Sequence, residues 1–184
     1  MPKKIVLIGP SHHDFIEGVF GFSTPWETPL GITKTSNPGL PTIENDCEHS
    51  LEVELPFLQT VLNEFEFTPI TYGEIHPEEL SVLLEEVLEE GVLVVSSDLS
   101  HYNEYTFATK KDFETIKSIV SLDYKRFMNT GDACGKIGIA ALMIMAIKHQ
   151  WKAYLIKYKN SGDTTNNKES VVGYCSIAFF DEKK

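Results

Sequence analysis

The run Lys4-Ile5-Val6-Leu7-Ile8 is stopped at once by Gly9-Pro10, and this abrupt ending most constrains the fold. Five residues, mostly β-branched or Leu, bounded by two breakers, read as a buried strand and not as a helix. A second run, Val92 to Ser96, is almost continuously apolar, the pattern of a strand covered on both faces in a parallel sheet. Between them Pro77 to Glu90 reads as a helix. Pro77 occupies its first turn, Leu80, Leu83, Leu84, Val87 and Leu88 form its apolar face, and Gly91 follows as its stop. Strands alternating with helices predict an α/β class, a three-layer α/β/α sandwich around a mostly parallel or mixed sheet.

Other segments extend the pattern. Leu51, Leu55, Leu58 and Leu62 share one stripe, so Leu51 to Phe65 reads as helical, with Pro56 either kinking the helix or starting it. Phe67 to Tyr72 reads as a strand. Asp112 to Phe127 and Ile137 to Lys148 read as helices, and Ala153 to Tyr158 and Val171 to Phe180 as closing strands. Residues 11 to 47 are rich in Gly, Pro, Ser and Thr, and a connection that long is functional or hides short elements. The acidic run Glu85-Glu86 and Glu89-Glu90 reads as a solvated face.

The 184 residues fit a single domain, 1–184, with enough chain for a real core. A net charge of −11 argues against a nucleic-acid backbone or an anionic membrane surface as the main partner. Three scattered cysteines, Cys47, Cys134 and Cys175, do not make a disulfide framework, which points to a reducing, cytoplasmic setting. No apolar run reaches membrane-spanning length. The opening Met1-Pro2-Lys3-Lys4 leads directly into a short strand and does not read as a secretory signal.

The candidate chemistry sits at turns beside these elements, where α/β proteins gather their sites. His12 follows the first strand through Gly9-Pro10-Ser11, so its imidazole can face a strand-end cleft or simply bond a loop carbonyl; His13 projects differently and reads as support. Ser96-Ser97-Asp98-Leu99-Ser100-His101 repeats the arrangement, with Asp98 placed either to orient the His101 ring or to cap the following turn. His49 stands at a helix start that Asp46 or Ser50 can cap, where a neutral histidine can donate or accept a proton. Cys134 precedes Gly135 and a helix opening near Lys136. That setting favours a thiolate, nucleophile or soft metal ligand, against the plainer reading of a small buried hydrophobe. Asn160-Ser161-Gly162-Asp163-Thr164 reads as a polar loop that can rim a cleft. None of these spacings is a local metal signature, so the residues by themselves support only a composite site.

Taken in order, the segments resemble the Memo family, the B protein of the AmmeMemoRadiSam systems. The resemblance rests on Gly9-Pro10-Ser11-His12-His13, Trp26-Glu27-Thr28-Pro29-Leu30-Gly31, Glu48-His49-Ser50-Leu51-Glu52-Val53-Glu54-Leu55-Pro56-Phe57-Leu58, Ser96-Ser97-Asp98-Leu99-Ser100-His101-Tyr102, Ala133-Cys134-Gly135, and Asn160-Ser161-Gly162-Asp163-Thr164 before Val172-Gly173-Tyr174. It implies a fold similar to the catalytic subunit of class III extradiol dioxygenases and a redox-active iron or copper ion. By motif match His12 and Cys134 are its expected ligands, with His49, Asp98 and His101 as catalytic groups lining the cleft. Imidazole and thiolate suit iron or copper better than magnesium or calcium.

In this sequence no counterpart of the family's upstream Pro-His-Ala-Gly-Tyr stretch, source of a further histidine ligand, precedes Met1. The departure predicts an exposed sheet edge covered by a partner chain or a second copy. Function then reads as metal-dependent redox or dioxygenase-like chemistry on an unidentified small molecule or protein, with radical-SAM and AMMECR1-like proteins as partners. The competing expectation is a non-catalytic ligand- or phosphopeptide-binding module using the same cleft.

Overall fold

A computed structural model describes residues 4–13, 15–43 and 48–182. The chain divides into two compact units, Met1–Ser96 and Ser97–Lys184. The first is built on a four-stranded sheet. β1 (Lys4–Pro10) lies at its centre and pairs in parallel with β5 (Glu66–Tyr72) and β6 (Val92–Val95); β2 (Val19–Gly21) adds antiparallel to β5, giving the order β2-β5-β1-β6. The fold is therefore α/β with a mixed central sheet and several helices, in keeping with a three-layer α/β/α arrangement.

The burial of β1 follows from its sequence: Ile5 to Ile8 are all at most 2% exposed, as a strand paired on both sides requires. Leu7 joins Phe22, Leu51, Leu55 and Phe67 in one apolar cluster. β6 departs from expectation. It pairs in parallel with β1 as its pattern implied, but it ends the sheet order, and Val92 is 43% exposed. An apolar run reports that a strand is buried somewhere; it does not report how many neighbours the strand has.

The long segment after β1 hides short elements. β2 is followed by the hairpin of β3 (Trp26–Thr28) and β4 (Gly31–Thr33), turned at Pro29-Leu30 with Gly31 at φ +124°. The helix expected over Leu51 to Phe65 is two pieces, α1 (His49–Glu52) and α2 (Leu55–Val61), with Pro56 in the first turn of α2 where its missing N–H costs nothing. α3 (Pro77–Leu88) buries Leu80, Leu84 and Val87. Its end is made by Glu89 at φ +43°, not by Gly91; Gly91 is small because a Cβ there would meet the Lys4 carbonyl at 2.9 Å. The acidic run is largely exposed, with Glu89 paired to Lys4 at 3.5 Å.

The second unit opens with a turn segment and α4 (Tyr105–Val120), α5 (Tyr124–Thr130) and α6 (Lys136–His149). A single helix over Asp112 to Phe127 was expected. Instead Leu122 adopts φ +54° and Asp123 caps a new helix by accepting the Arg126 N–H at 3.0 Å. A capping Asp inside an apolar periodicity is easily read through, because both flanking pieces keep the helical period. Ile119, Phe127, Ala140 and Met143 form the core here. β7 (Lys152–Asn160) and β8 (Gly173–Phe180) make an antiparallel pair, joined through α7 (Gly162–Thr165), a single helical turn where a polar loop was expected. No helix among the described residues is long and apolar enough to cross a membrane.

Candidate functional site

β1 delivers the first site residue. Its end is tied to the start of α1 by Ser50, whose Oγ donates to the Pro10 carbonyl at 3.1 Å. Gly9 leaves room for this junction: a Cβ there would meet Ser50 Oγ at 2.4 Å, so Ser50 would have to shift. Two residues beyond Pro10, His12 meets Glu48, the residue that caps α1. The Glu48 carboxylate accepts the His12 N–H at 2.7 Å and the Ser50 N–H at 3.0 Å. Its Oε1 lies 3.0 Å from His12 Nδ1 and 3.8 Å from His49 Nδ1. The His12 and His49 rings stand 4.6 Å apart, and the His13 and His49 rings meet edge-to-face at 5.5 Å.

Glu48 is 3% exposed while His12 and His49 open to solvent. Burial pushes its carboxyl upward, but hydrogen bonds from the His12 backbone and ring and from Ser50 outweigh that, and hold it below the usual carboxylate range. A carboxylate fixed in this way orients the His12 ring through Nδ1 and leaves Nε2 for another partner. His12, Glu48 and His49 each offer a ligand atom, all within 4.8 Å of one another, so this cluster can hold a metal ion. Two imidazoles and a carboxylate are a donor set suited to non-haem iron.

Sequence reading missed Glu48. It named His49 as a catalytic group and sought the cap of α1 at Asp46 or Ser50. Ser50 instead bonds the Pro10 carbonyl, and Asp46, like Cys47, lies outside the described residues. The signal was available, since Glu48 stands one residue before the helix, but glutamate is an uncommon cap.

The second unit brings Asp98, His101 and Cys134 together. The Asp98 N–H donates to Cys134 Sγ at 3.1 Å and the Cys134 N–H returns to the Asp98 carbonyl at 3.2 Å. Ser97 Oγ accepts the Gly135 N–H at 2.8 Å and lies 3.7 Å from the sulfur. The Asp98 carboxylate is 3.3 Å from His101 Nε2, close enough to orient the ring. Cys134 stands just before α6, with Gly135 as its cap and Lys136 as its first residue. Cys175 lies in β8, where burial pushes its thiol up to about 11, the behaviour of a structural cysteine. In Asn160-Ser161-Gly162-Asp163-Thr164, Asn160 Oδ1 accepts the Gly162 N–H and Asp163 accepts the Asn160 N–H, both at 3.0 Å, while Asp163 also accepts the Tyr105 hydroxyl at 2.8 Å.

Beside the first cluster lies a cavity of about 300 Å³ whose walls include Trp26, Phe22, Leu55, Glu27, Glu48 and Glu52. It places β3, part of the Trp26 to Gly31 motif, beside the cluster.

Comparison with known sequences identifies the family. The family described as Memo-like protein matches residues 1–178. A MEMO1 family protein of Thermoplasma volcanium is 35% identical over 197 residues, covering 95% of this chain and 73% of the relative. MEMO1 family proteins of Saccharolobus islandicus and Saccharolobus solfataricus are each 32% identical over 207 residues, covering 97% of this chain and 72% of theirs. With the motif order, the α/β architecture and this match in hand, the chain belongs to the Memo family.

Proposed function

We propose that this chain is a metal-dependent redox protein of dioxygenase-like character, binding iron or copper at His12, Glu48 and His49. The observation that carries the reading is the convergence of two imidazoles and a buried carboxylate within 4.8 Å. Glu48 sets the ring of His12, and the exposed rings of His12 and His49 offer nitrogen to the ion. A redox ion bound there supplies electron transfer and oxygen activation. Cys134 remains the proposed thiolate ligand and the Asp98–His101 pair the proposed acid–base group, on the strength of the family resemblance and the contacts within the second unit. Radical-SAM and AMMECR1-like proteins are the proposed partners, and a partner chain or second copy is proposed to cover the outer strand β6. A phosphopeptide module is the weaker alternative, because the cavity beside Glu48 presents carboxylates to any phosphate.

The test is metal uptake. Chelator-stripped protein, loaded with iron(II) without oxygen or with copper, should retain one equivalent after desalting. The double variant His12→Ala, His49→Ala should retain almost none while keeping its circular dichroism. Equal retention by the two proteins overturns the reading. Loss of a thiolate-to-metal absorption band in Cys134→Ala tests the cysteine separately.

A further inference from the structure

We infer that the cavity beside Glu48 is a binding site for a small organic cation, an ammonium or guanidinium group carried on an apolar body. The inference deepens the reading above by naming the class of compound the site takes; it stands on the cavity and not on the ion.

At about 300 Å³ the space matches the small end of small-molecule sites. One wall is Trp26. Its ring is held edge-to-face by Phe22 at 5.2 Å and by Phe67 at 5.6 Å, so it is a fixed surface and not a mobile flap. A tryptophan face attracts cations through its quadrupole. The backbone of this wall is braced by Thr28, whose Oγ1 donates to Gln59 Oε1 at 2.5 Å, and by Gln59 Nε2 donating to Thr33 Oγ1 at 2.9 Å. Apolar packing continues into Leu55, which is fully buried.

The charged groups on the lining are all carboxylates: Glu27 and Glu52, exposed, and Glu48, buried. No lysine, arginine or histidine lines the cavity among the described residues. Glu48 answers three hydrogen-bond donors and is turned toward the His12–His49 cluster, so the two exposed glutamates are the ones left to meet an organic cation in the cavity. An anion would meet like charge on three sides, and a neutral compound would gain the apolar walls alone. The net charge of −11 adds a field that draws cations in.

The experiment follows the fluorescence of Trp26 in Trp151→Phe protein, kept in chelator so that no ion contributes. Benzylamine, benzyl alcohol and benzoate share a ring and differ in charge. Benzylamine should quench saturably and bind about tenfold tighter than the alcohol, with benzoate weaker still. Added salt should weaken benzylamine and leave the alcohol unchanged. Glu27→Gln with Glu52→Gln should erase the preference for the amine without changing affinity for the alcohol. The single variant Glu52→Gln, which should halve the preference or more, serves if the double variant does not fold. A capped lysine amide forms a further arm: tighter binding than benzylamine assigns the cation to a protein side chain, weaker binding to a free amine, and both keep the ammonium assignment. Equal affinity for amine and alcohol, preference for benzoate, or no saturable binding by any probe overturns the inference. Metal uptake by the same protein, measured separately, shows whether the ion site stands or falls independently.

Discussion

Glu48 and Asp112 are both buried carboxylates, one in each unit, and they do different work. Glu48 holds the N–H groups of His12 and Ser50 and the ring of His12, and the His12 and His49 imidazoles beside it open to solvent. Asp112, fully buried on α4, accepts the Ser100 N–H at 2.9 Å and the Tyr158 hydroxyl at 2.8 Å. It has Gly173 against it: a Cβ on that glycine would meet its Oδ2 at 2.0 Å. The first carboxylate sits among imidazoles in a cluster that can hold a metal ion, whereas the second knits a turn, a strand and a helix together. Burial of a charge is therefore not the mark of a site; the chemistry of the groups it holds is.

The strongest way to break this contrast is to remove each carboxylate. Asp112→Ala orphans the buried Ser100 N–H and the half-buried Tyr158 hydroxyl and should destabilise the chain by about 3 kcal/mol, lowering the melting temperature by roughly 10 °C, with metal uptake unchanged. Thermal unfolding beside metal analysis checks both halves. Glu48→Gln should do the reverse, reducing metal affinity by about tenfold or more with a smaller loss of stability, because the amide keeps the shape but loses the charge that meets the ion and orients His12. If Asp112→Ala strips the metal and Glu48→Gln does not, the assignment of roles is inverted.

The two glycines sharpen the comparison at a smaller scale. Gly173→Ala pushes a methyl into Asp112 and should cost about 2 kcal/mol in urea unfolding. Gly9→Ala pushes instead on Ser50 Oγ, a side chain that can rotate, so its cost should be nearer 1 kcal/mol, with metal affinity reduced because the β1–α1 junction shifts.

The subtlest effects are in pH. Burial, with Asp112 nearby, raises Cys175 from 9.0 to about 11 and Tyr158 from 10.0 to about 12. Both are acids whose neutral forms the fold prefers. The stability they contribute is complete below their unfolded values and is lost as pH rises through about 11 and about 12. Glu48 is lowered below 4.5, so its contribution is present above that value and disappears as pH falls through the lower folded value. Tyrosinate absorbance should show a late step near pH 12 that Tyr158→Phe removes; a titration unchanged by that variant contradicts the Asp112 network.

Much of the fold was legible before the structure. The runs at Ile5–Ile8 and Val92–Val95, the periodicity of α3 and α6, and the breakers around them each act over a few residues, and each appears where it was read. Errors arose where a local pattern had two solutions. The apolar period over residues 112 to 127 conceals the Asp123 cap, and Gly91 looked like a helix stop although Glu89 makes the turn.

For the chemistry, the sequence by itself determined the candidates: His12, His49, Asp98, His101 and Cys134, each at the end or start of an element, in an order resembling one family. Only the tertiary structure decided which of them meet. Glu48 reaches His12 across 36 residues because β1 and α1 are stapled at Gly9 and Ser50, and no spacing in the chain encodes that contact. Its low-lying charge, and the acidic aromatic cavity beside it, arise from burial and from neighbours remote in sequence. Secondary structure is written in short-range sterics and solvation, but the electrostatics of a site depend on what the folded chain brings within a few ångströms.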